Sequence, residues 1–382
     1  MAATFTNFLA TATDMAQIVA QEPAGFIDAI DIRGSTEGAT LNTPSNVGNV
    51  SPVVASVWTP GVKTTLPTGT DVGASLILDQ AREAQFDISG EQLNGLNVGN
   101  KLAQTWLETK IQEAMRTLRN EVEVFLALRA KQGASRATGT PGTTPFASSM
   151  DATADLRQIL IDNGGPKIGW SLVVNPSAGT NVRKQLGSLV AAAGSQASAL
   201  QIAGDLPVHN GFQFRESSGI ALHTAGTLTT VTATPARTVG MTSFAVAGTT
   251  IALTPGDCFT AATDANVYVN TATLAAGGTM TINRPGFRVA AVAGGALTIG
   301  ATYTPNIGLH RSAIIAVVRP PSQADAFMNG GMPFMSSAIA DPLGKFSYGM
   351  YVQQYDGGVL ISLRCIYGAM TANPHLVAAL RG

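Results

Sequence analysis

The chain has 382 residues, of which 45% are hydrophobic and only 12% charged, and its formal net charge is −1. That length holds two or three domains and a sizeable core, while the charged fraction is about half the roughly 25% of an average soluble domain. With no basic excess and no run of like charge, tight nucleic-acid binding is excluded, because it needs Lys and Arg to neutralise several phosphates.

In chain order, Phe5, Phe8, Ala12, Met15 and Val19 recur every three to four residues and predict a short amphipathic helix ending before Pro23. The same stretch lacks a basic n-region and is interrupted by Asp14, so no signal peptide is expected. No apolar run approaches the roughly 20 residues of a membrane span. "FIDAIDIR", residues 26–33, alternates apolar and polar side chains as a strand does. Residues 34–75 are rich in Gly, Thr, Pro and Ser, too long for a compact loop, and are expected to be disordered or a long projecting β-ribbon, with an excursion that runs out and back favoured. The return piece "ASLILDQAREAQFDISGEQ" has strand-like alternation at Phe86 and Ile88.

Residues 97–132 hold the clearest element. Val98, Leu102, Trp106, Ile111, Met115, Leu118, Val122 and Phe125 keep a stripe at helical spacing. Asn97 or Asn100 can cap the start, Arg129 and Lys131 suit the negative end of the dipole, and Gly133 stops the helix. At 1.5 Å per residue the rod is roughly 50 Å long. Glu108, Glu113, Arg116, Arg119, Glu121 and Glu123 are expected on its solvated back.

An α/β pattern follows a small-residue linker. "SMDATADLRQILIDNGG" predicts a helix stopped at Gly164, "GWSLVVNP" a buried strand, and Ala178–Leu186 a further helix. Short strands joined by Gly turns run through residues 204–223. Residues 227–303 are poor in charge, with β-branched runs alternating with Gly, Pro and Asp turns, and predict a small all-β module inserted in the α/β domain. The domain resumes with one strand over residues 308–319, "GLHRSAIIAVVR". A hairpin follows, turning at Asp356-Gly357-Gly358, and a last short helix is expected after Asn373-Pro374.

No catalytic motif of the HExxH, GxSxG or GxxxxGK[ST] kind is present. His209, His223, His310 and His375 are not at metal-ligand spacings, and Cys258 and Cys365 stand apart as two free thiols. Asp257 sits in a Pro-Gly turn, whose chemistry accounts for it. Asp28 and Asp31 fall on the alternation of their strand, and Arg311 and Arg319 flank an apolar run. No catalytic, cofactor-binding or metal-binding residue is assigned, no cofactor is expected, and the chain is not read as an enzyme.

The order of these elements resembles the major capsid proteins of tailed bacteriophages, with the Hong-Kong-ninety-seven-type coat fold, in the P-twenty-two-like branch with an inserted β-domain. The carrying stretches are the long helix, "WSLVVNP" (170–176), "GDLPVHNGFQFRESSGIALHTAGT" (204–227), "NIGLHRSAIIAVVRP" (306–320) and "ISLRCIYGAMTANPHLVAAL" (361–380). The resemblance implies an α+β fold with an N-terminal arm at 1–36, an extended β-loop at 37–96 and a spine helix of the peripheral domain at 97–133. The α/β platform would take 134–226 and 304–382, and the inserted all-β domain 227–303. It implies self-assembly as pentamers and hexamers into an icosahedral head around double-stranded DNA. Arm and loop would reach neighbouring subunits, with Phe5, Phe8, Trp58, Lys63, Arg82 and Glu83 as intersubunit contacts. The implied partners are further copies of the chain, a scaffolding protein, a portal, a decoration protein and weakly held packaged DNA, with no membrane. The implied place is the virion, assembled in the host bacterial cytoplasm. Some relatives crosslink through a Lys and an Asn. Lys63, Asn42 and Asn49 lie in the loop, but no clear acidic catalyst is nearby and no crosslink is expected. The competing readings are an α/β enzyme with a β-insert, working through His310, Arg311 or Asp257, and a secreted β-rich surface-layer protein.

Overall fold

The computed structural model describes residues 23–33, 44–49, 73–97, 101–191, 206, 208–229, 232–233, 236–275, 277–321, 335–340, 345, 347–355 and 357–382. The predicted helix with Phe5 and Phe8, and the loop tip with Trp58 and Lys63, lie outside the described residues.

In chain order the first elements are α1 (Gly25–Ala29), β1 (Asp31–Arg33), β2 (Pro44–Asn49), β3 (Gly73–Ile77), β4 (Gln80–Ser89), α2 (Gly90–Asn97) and α3 (Lys101–Gly133). Then come β5 (Arg136–Thr138), α4 (Asp151–Asp162), β6 (Trp170–Val174), α5 (Pro176–Ala191), β7 (Val208–His209) and β8 (Phe212–Glu216). The segment read as an insert supplies β9 (Thr227–Thr229), β10 (Thr232–Ala233), β11 (Ser243–Ala247), β12 (Thr250–Ala252), β13 (Cys258–Ala261), β14 (Asp264–Val269), β15 (Gly278–Thr281) and β16 (Leu297–Ile299). The chain closes with β17 (Pro305–His310), β18 (Ile314–Arg319), β19 (Met335–Ala340), β20 (Ser347–Tyr355), β21 (Gly358–Thr371) and β22 (Val377–Arg381).

Two sheets carry the architecture. One runs β1-β18-β21-β20-β19, and β4 also pairs with β21. The 14-residue β21 is long enough to hold β4 along residues 358–367 of one edge, and β20 along 358–364 followed by β18 along 366–371 of the other. The other runs β16-β13-β14-β5-β22-β17-β6-β8-β7. The helix α3 lies across β21 and β4 and buries Leu107, Ile111, Met115, Leu118, Val122, Leu126 and Ala130. These follow the predicted stripe, shifted toward i, i+4 spacing at its C-terminal end.

The segment 227–303 has its own apolar cluster, including Phe244, Phe259, Tyr268, Met280 and Phe287. It does not hang from the platform by its two linkers alone. Tyr268 and Val267 of β14 pair with Arg136 and Ala137 of β5, so β13, β14 and β16 prolong the platform's sheet.

Several local expectations are corrected. The single strand read over 308–319 is two strands in two sheets. β17 pairs with β22 and β6, and β18 with β21 and β1. The polar His310-Arg311-Ser312 makes the turn between them, where Ala313 N donates to His310 O at 2.9 Å. "FIDAIDIR" is a helical turn before a short strand, because a carboxylate on α3 takes the first amides of α1 (below). The terminal helix is one 3-10 turn, Pro374–Leu376, followed by the strand β22. Val377 to Leu380 are all buried, between β17 and β5. A short run apolar on every face carries no period to separate helix from strand. The helix expected over 178–186 spans Pro176–Ala191, with Pro176 in its first turn and Asn175 Oδ1 accepting from Ala178 N at 2.9 Å. Finally, Arg119 and Glu123 are not on a solvated helix back, being 5% and 1% exposed.

Candidate functional site

Arg82 and Glu83 are neighbours on β4 and point to opposite faces, as strand geometry requires. Arg82 Nε lies 3.6 Å from Glu121 Oε2 on α3, and Glu83 Oε2 lies 3.0 Å from Arg364 Nε on β21. Just ahead of β4, Asp79 Oδ2 pairs with an Arg129 guanidinium nitrogen at 2.6 Å. Three ion pairs therefore strap residues 79–83 to the spine helix and the sheet. The Arg82–Glu121 pair is half exposed at both ends and contributes less than about 1 kcal/mol, as surface pairs do. Its groups remain open to a neighbour.

Two buried polar assemblies matter more, and both are built on α3. In the first, Glu123 Oε1 and Oε2 accept from the Phe26 and Ile27 amides, each at 2.9 Å, and Oε1 also accepts from Ser217 Oγ at 2.5 Å. Burial pushes this carboxyl above its ordinary 4.5, and hydrogen bonds from Ser217, Phe26 and Ile27 with the charge of Arg119 pull it part of the way back. One side chain thus joins the start of the described chain, the spine helix and the residues after β8.

The second assembly lies about two turns further along α3. Lys131 Nζ is 3.1 Å from His223 Nδ1, and His223 Nε2 is 2.8 Å from Asp257 Oδ1. An ammonium only donates, so Nδ1 carries the lone pair and Nε2–H donates to the carboxylate. Asp257 further accepts from Gly226 N at 2.9 Å and Thr254 N at 2.7 Å. Tyr303 pairs with His223 through both backbone hydrogen bonds, stacks edge-on against its ring and donates to Gly256 O at 2.7 Å. Asn283 Nδ2 reaches Gln132 O and Ala134 O, where the spine helix ends and its carbonyls lack intrahelical partners. The outgoing and returning linkers of the segment 227–303 therefore meet the spine helix at one buried joint.

The chemistry of the joint is structural. His223 and Asp257 are 5% and 1% exposed, and both imidazole nitrogens are engaged. Burial lowers the Lys131 ammonium from 10.5, against the opposing fields of Asp257 and Cys258, and raises the Cys258 thiol to about 11. Cys365 is likewise pushed by burial to about 12, so neither thiol is an activated nucleophile.

At Asp257, burial pushes the carboxyl up, but the hydrogen bonds from His223, Thr254 and Gly226 outweigh it and hold the group below 3.8. Its stabilising contribution is therefore complete above 3.8 and disappears as the pH falls through the lower folded value. Glu123 has the opposite sign: its contribution is complete below 4.5 and declines as the pH rises through its raised value. Asp257→Asn separates the two. The stability gap between wild type and this variant, read from urea midpoints, should close as the pH is lowered from 5 toward 2. A gap that stayed constant over this range would count against the hydrogen-bonded carboxylate.

The remaining sequence candidates do not assemble. His310 Nδ1 meets Ser312 Oγ at 2.8 Å, its ring stands edge-on to Trp170, and burial lowers its pKa. His375 sits where β22 begins and is lowered by burial and by the field of Arg284. Asp28 faces Arg215 and Lys345, whereas Asp31 faces Arg33. Arg311 is exposed in the turn and Arg319 ends β18. Among the described residues no group of three or more His, Cys, Asp or Glu could hold a metal ion, and no helix is long and apolar enough to cross a membrane.

No family model matches the chain, and no curated protein matches its sequence. Solved structures do match. A chain of Mycobacterium phage Che8 aligns with TM-score 0.50 and 14% identity, covering 95% of this chain and 94% of that one. The capsid structure of Cyanophage P-SCSP1u aligns with TM-score 0.49 and 12% identity, covering 95% and 90%. The capsid of the native GTA particle gives 0.46 and 10%, covering 95% and 91%. The likeness to the Che8 chain spans nearly the whole of both molecules and shows a shared fold. The α+β architecture expected from the sequence is the fold the chain shares with that phage chain.

Proposed function

We propose that this chain is the major capsid protein of a tailed bacteriophage, assembling through pentamers and hexamers into an icosahedral head around double-stranded DNA. The observation that supports it is the fold shared with the Che8 phage chain over 95% of the residues. In this reading 1–36 is the arm, 37–96 the extended loop, 97–133 the spine, 134–226 with 304–382 the platform and 227–303 the inserted domain. Phe5, Phe8, Trp58, Lys63, Arg82 and Glu83 contact neighbouring copies. A scaffolding protein and a portal take part in assembly, a decoration protein can join the outer face, and the packaged DNA is held weakly. The head forms in the host bacterial cytoplasm.

The physical character of the chain suits this. A permanent shell holds through large repeated interfaces, of more than about 2,000 Å² per subunit. A net charge of −1 keeps hundreds of copies from repelling one another and leaves the inner wall without strong DNA traps. Ring contacts are heterologous and close only at the right angle. The buried joint between spine, platform and module holds that angle within each subunit.

Electron microscopy and sedimentation of the purified protein, alone and with its scaffold, test the reading. Shells or capsomer-sized rings are expected. A monodisperse monomer at high concentration under every assembly condition would overturn it and return the α/β-enzyme reading to the front. Deleting residues 40–75 should leave a soluble chain that forms no closed shells. Normal particles from that deletion would remove the loop from the intersubunit contacts.

A further inference from the structure

Arg237 is buried within the segment 227–303, at 2% exposed. Its guanidinium carbon lies 5.3 Å from the centre of the Phe287 ring, and Nη2 donates to Ala262 O at 2.9 Å. Nε and Nη1 are buried and meet no acceptor among the described residues. Arg136, buried almost as deeply, shows the contrast. Its guanidinium reaches Asn266 Oδ1, Ile159 O and Asn163 Oδ1, with Asp162 3.9 Å away. A guanidinium stays charged when buried, and a lone buried charge is costly unless an anion meets it.

The segment has no carboxylate to spare for Arg237. Asp257 and Asp264 are the only acidic residues from 227 to 303. Asp257 is engaged by His223, Gly226 and Thr254, and Asp264 by Asn266 and the Tyr268 hydroxyl. The backbone around Arg237 is nonetheless fixed. Arg237 and Ala291 exchange both backbone hydrogen bonds, and Gly294 N and Gly295 O pair with Ala233. A Cβ on Gly295 would stand 2.8 Å from Arg237 Nη2, so the guanidinium lies directly beneath this glycine turn. The turn is at the surface, with Val292 81% exposed and Gly294 exposed beside it. At that point a layer of glycine backbone separates the charge from solvent.

We propose that the segment 227–303 holds a small free anion, of the size of formate or chloride, against the open N–H groups of Arg237. A water molecule satisfies such donors but leaves the charge unmet. The planar guanidinium suits a carboxylate best, because it gives two parallel N–H···O bonds. Once bound, the anion fixes Arg237 in place and keeps the turn at 292–295 seated over it. This goes beyond the capsid reading and does not rest on it, since it concerns the single chain.

Hydrogen exchange of the Arg237 and Ala291 amides tests it on the full-length chain. Sodium formate or sodium chloride is varied at fixed pH and ionic strength, balanced by a sulfonate too bulky to pass the turn. Above saturation both amides should exchange roughly tenfold more slowly for each tenfold rise in formate, and chloride should act more weakly. Arg237→Met, which replaces the charge by an apolar chain, should lose the response. Arg288→Met, at an exposed arginine of the same segment, should keep it. No response in the wild type, or one that survives Arg237→Met, would overturn the site. Should the methionine variant not fold, Arg237→Lys serves in its place. It keeps the charge without the planar fork, so the advantage of formate over chloride should vanish, and an unchanged advantage would overturn the proposal. Protection that rises with protein concentration in the absence of added anion would assign the site to a carboxylate of a second copy and overturn it as well.

Discussion

Glu123→Ala is expected to lower the free energy of unfolding by about 3–5 kcal/mol, the range for breaking a buried charged hydrogen-bond set. The carboxylate satisfies the amides of Phe26 and Ile27 and the Ser217 hydroxyl in a site where Glu123 is 1% exposed. Each buried donor left without an acceptor costs about 1–3 kcal/mol. Part of that loss is offset, because the variant no longer buries an anion, as the upward shift of the Glu123 carboxyl shows. Glu123→Gln keeps the volume but turns a donor toward one of the two amides, so it should fall between wild type and alanine. Hydrogen exchange gives the specific readout. The Phe26 and Ile27 amides should lose most of their protection in the alanine variant, and β1, which follows them and pairs with β18, should loosen in turn. A loss below about 1 kcal/mol with both amides still protected would show that α1 is held by its apolar contacts alone.

Glu123 also marks the limit of what the sequence discloses. The 33-residue α3 was legible because its apolar stripe persists for several turns, and no local competitor can imitate that period. The charges on the same helix looked alike in sequence, yet Lys110 and Glu113 form an exposed pair while Glu123 is buried 96 and 97 residues away from the amides it caps. Only the flanking Val122 and Val124 hint that position 123 is not ordinary helix back. The same long-range contact explains why "FIDAIDIR" starts as a helical turn. Its alternation fits a strand, but acceptors for two successive amides fit a helix N-terminus better.

The buried joint was illegible for a similar reason. Lys131, His223 and Asp257 are each unremarkable in their local sequence, and turn chemistry accounted for Asp257 correctly as far as Thr254. What brings them together is sheet topology: His223 and Tyr303 pair on either side of the segment 227–303, and α3 ends at that point. The run 308–319 failed in the opposite way. Its composition reads as one strand, with His310, Arg311 and Ser312 ahead of an apolar run. They are the turn that carries the chain from one sheet to the other.

Gly368→Val should be at least as damaging, at a position where local preference predicts the reverse. Valine favours strands, and Gly368 sits inside the 14-residue β21. A Cβ there, however, would overlap the backbone oxygen of Ile77 and stand 2.9 Å from Leu78 Cα. Both are main-chain atoms, which cannot swing aside as a side-chain tip can. Ile77 and Leu78 lie where the β2–β3 hairpin rejoins the body, and Leu76 and Leu78 are fully buried against Ile315, Val317 and Ile366. Forcing this crossing away from β21 uncovers both leucines, each worth about 1.5–3 kcal/mol of burial. The expected cost is therefore roughly 3–6 kcal/mol, read from urea unfolding. Gly277→Ala is the control, since its Cβ would meet Val246 O at an ordinary 3.4 Å, and it should change stability by less than about 1 kcal/mol. In the capsid reading the hairpin base is where the extended loop is fixed to the subunit, so shell yield should fall with Gly368→Val even at temperatures where the monomer stays folded. Wild-type stability and wild-type shells from this variant would mean that the crossing can slide along β21. The three ion pairs at residues 79–83 would then be what holds the loop in place.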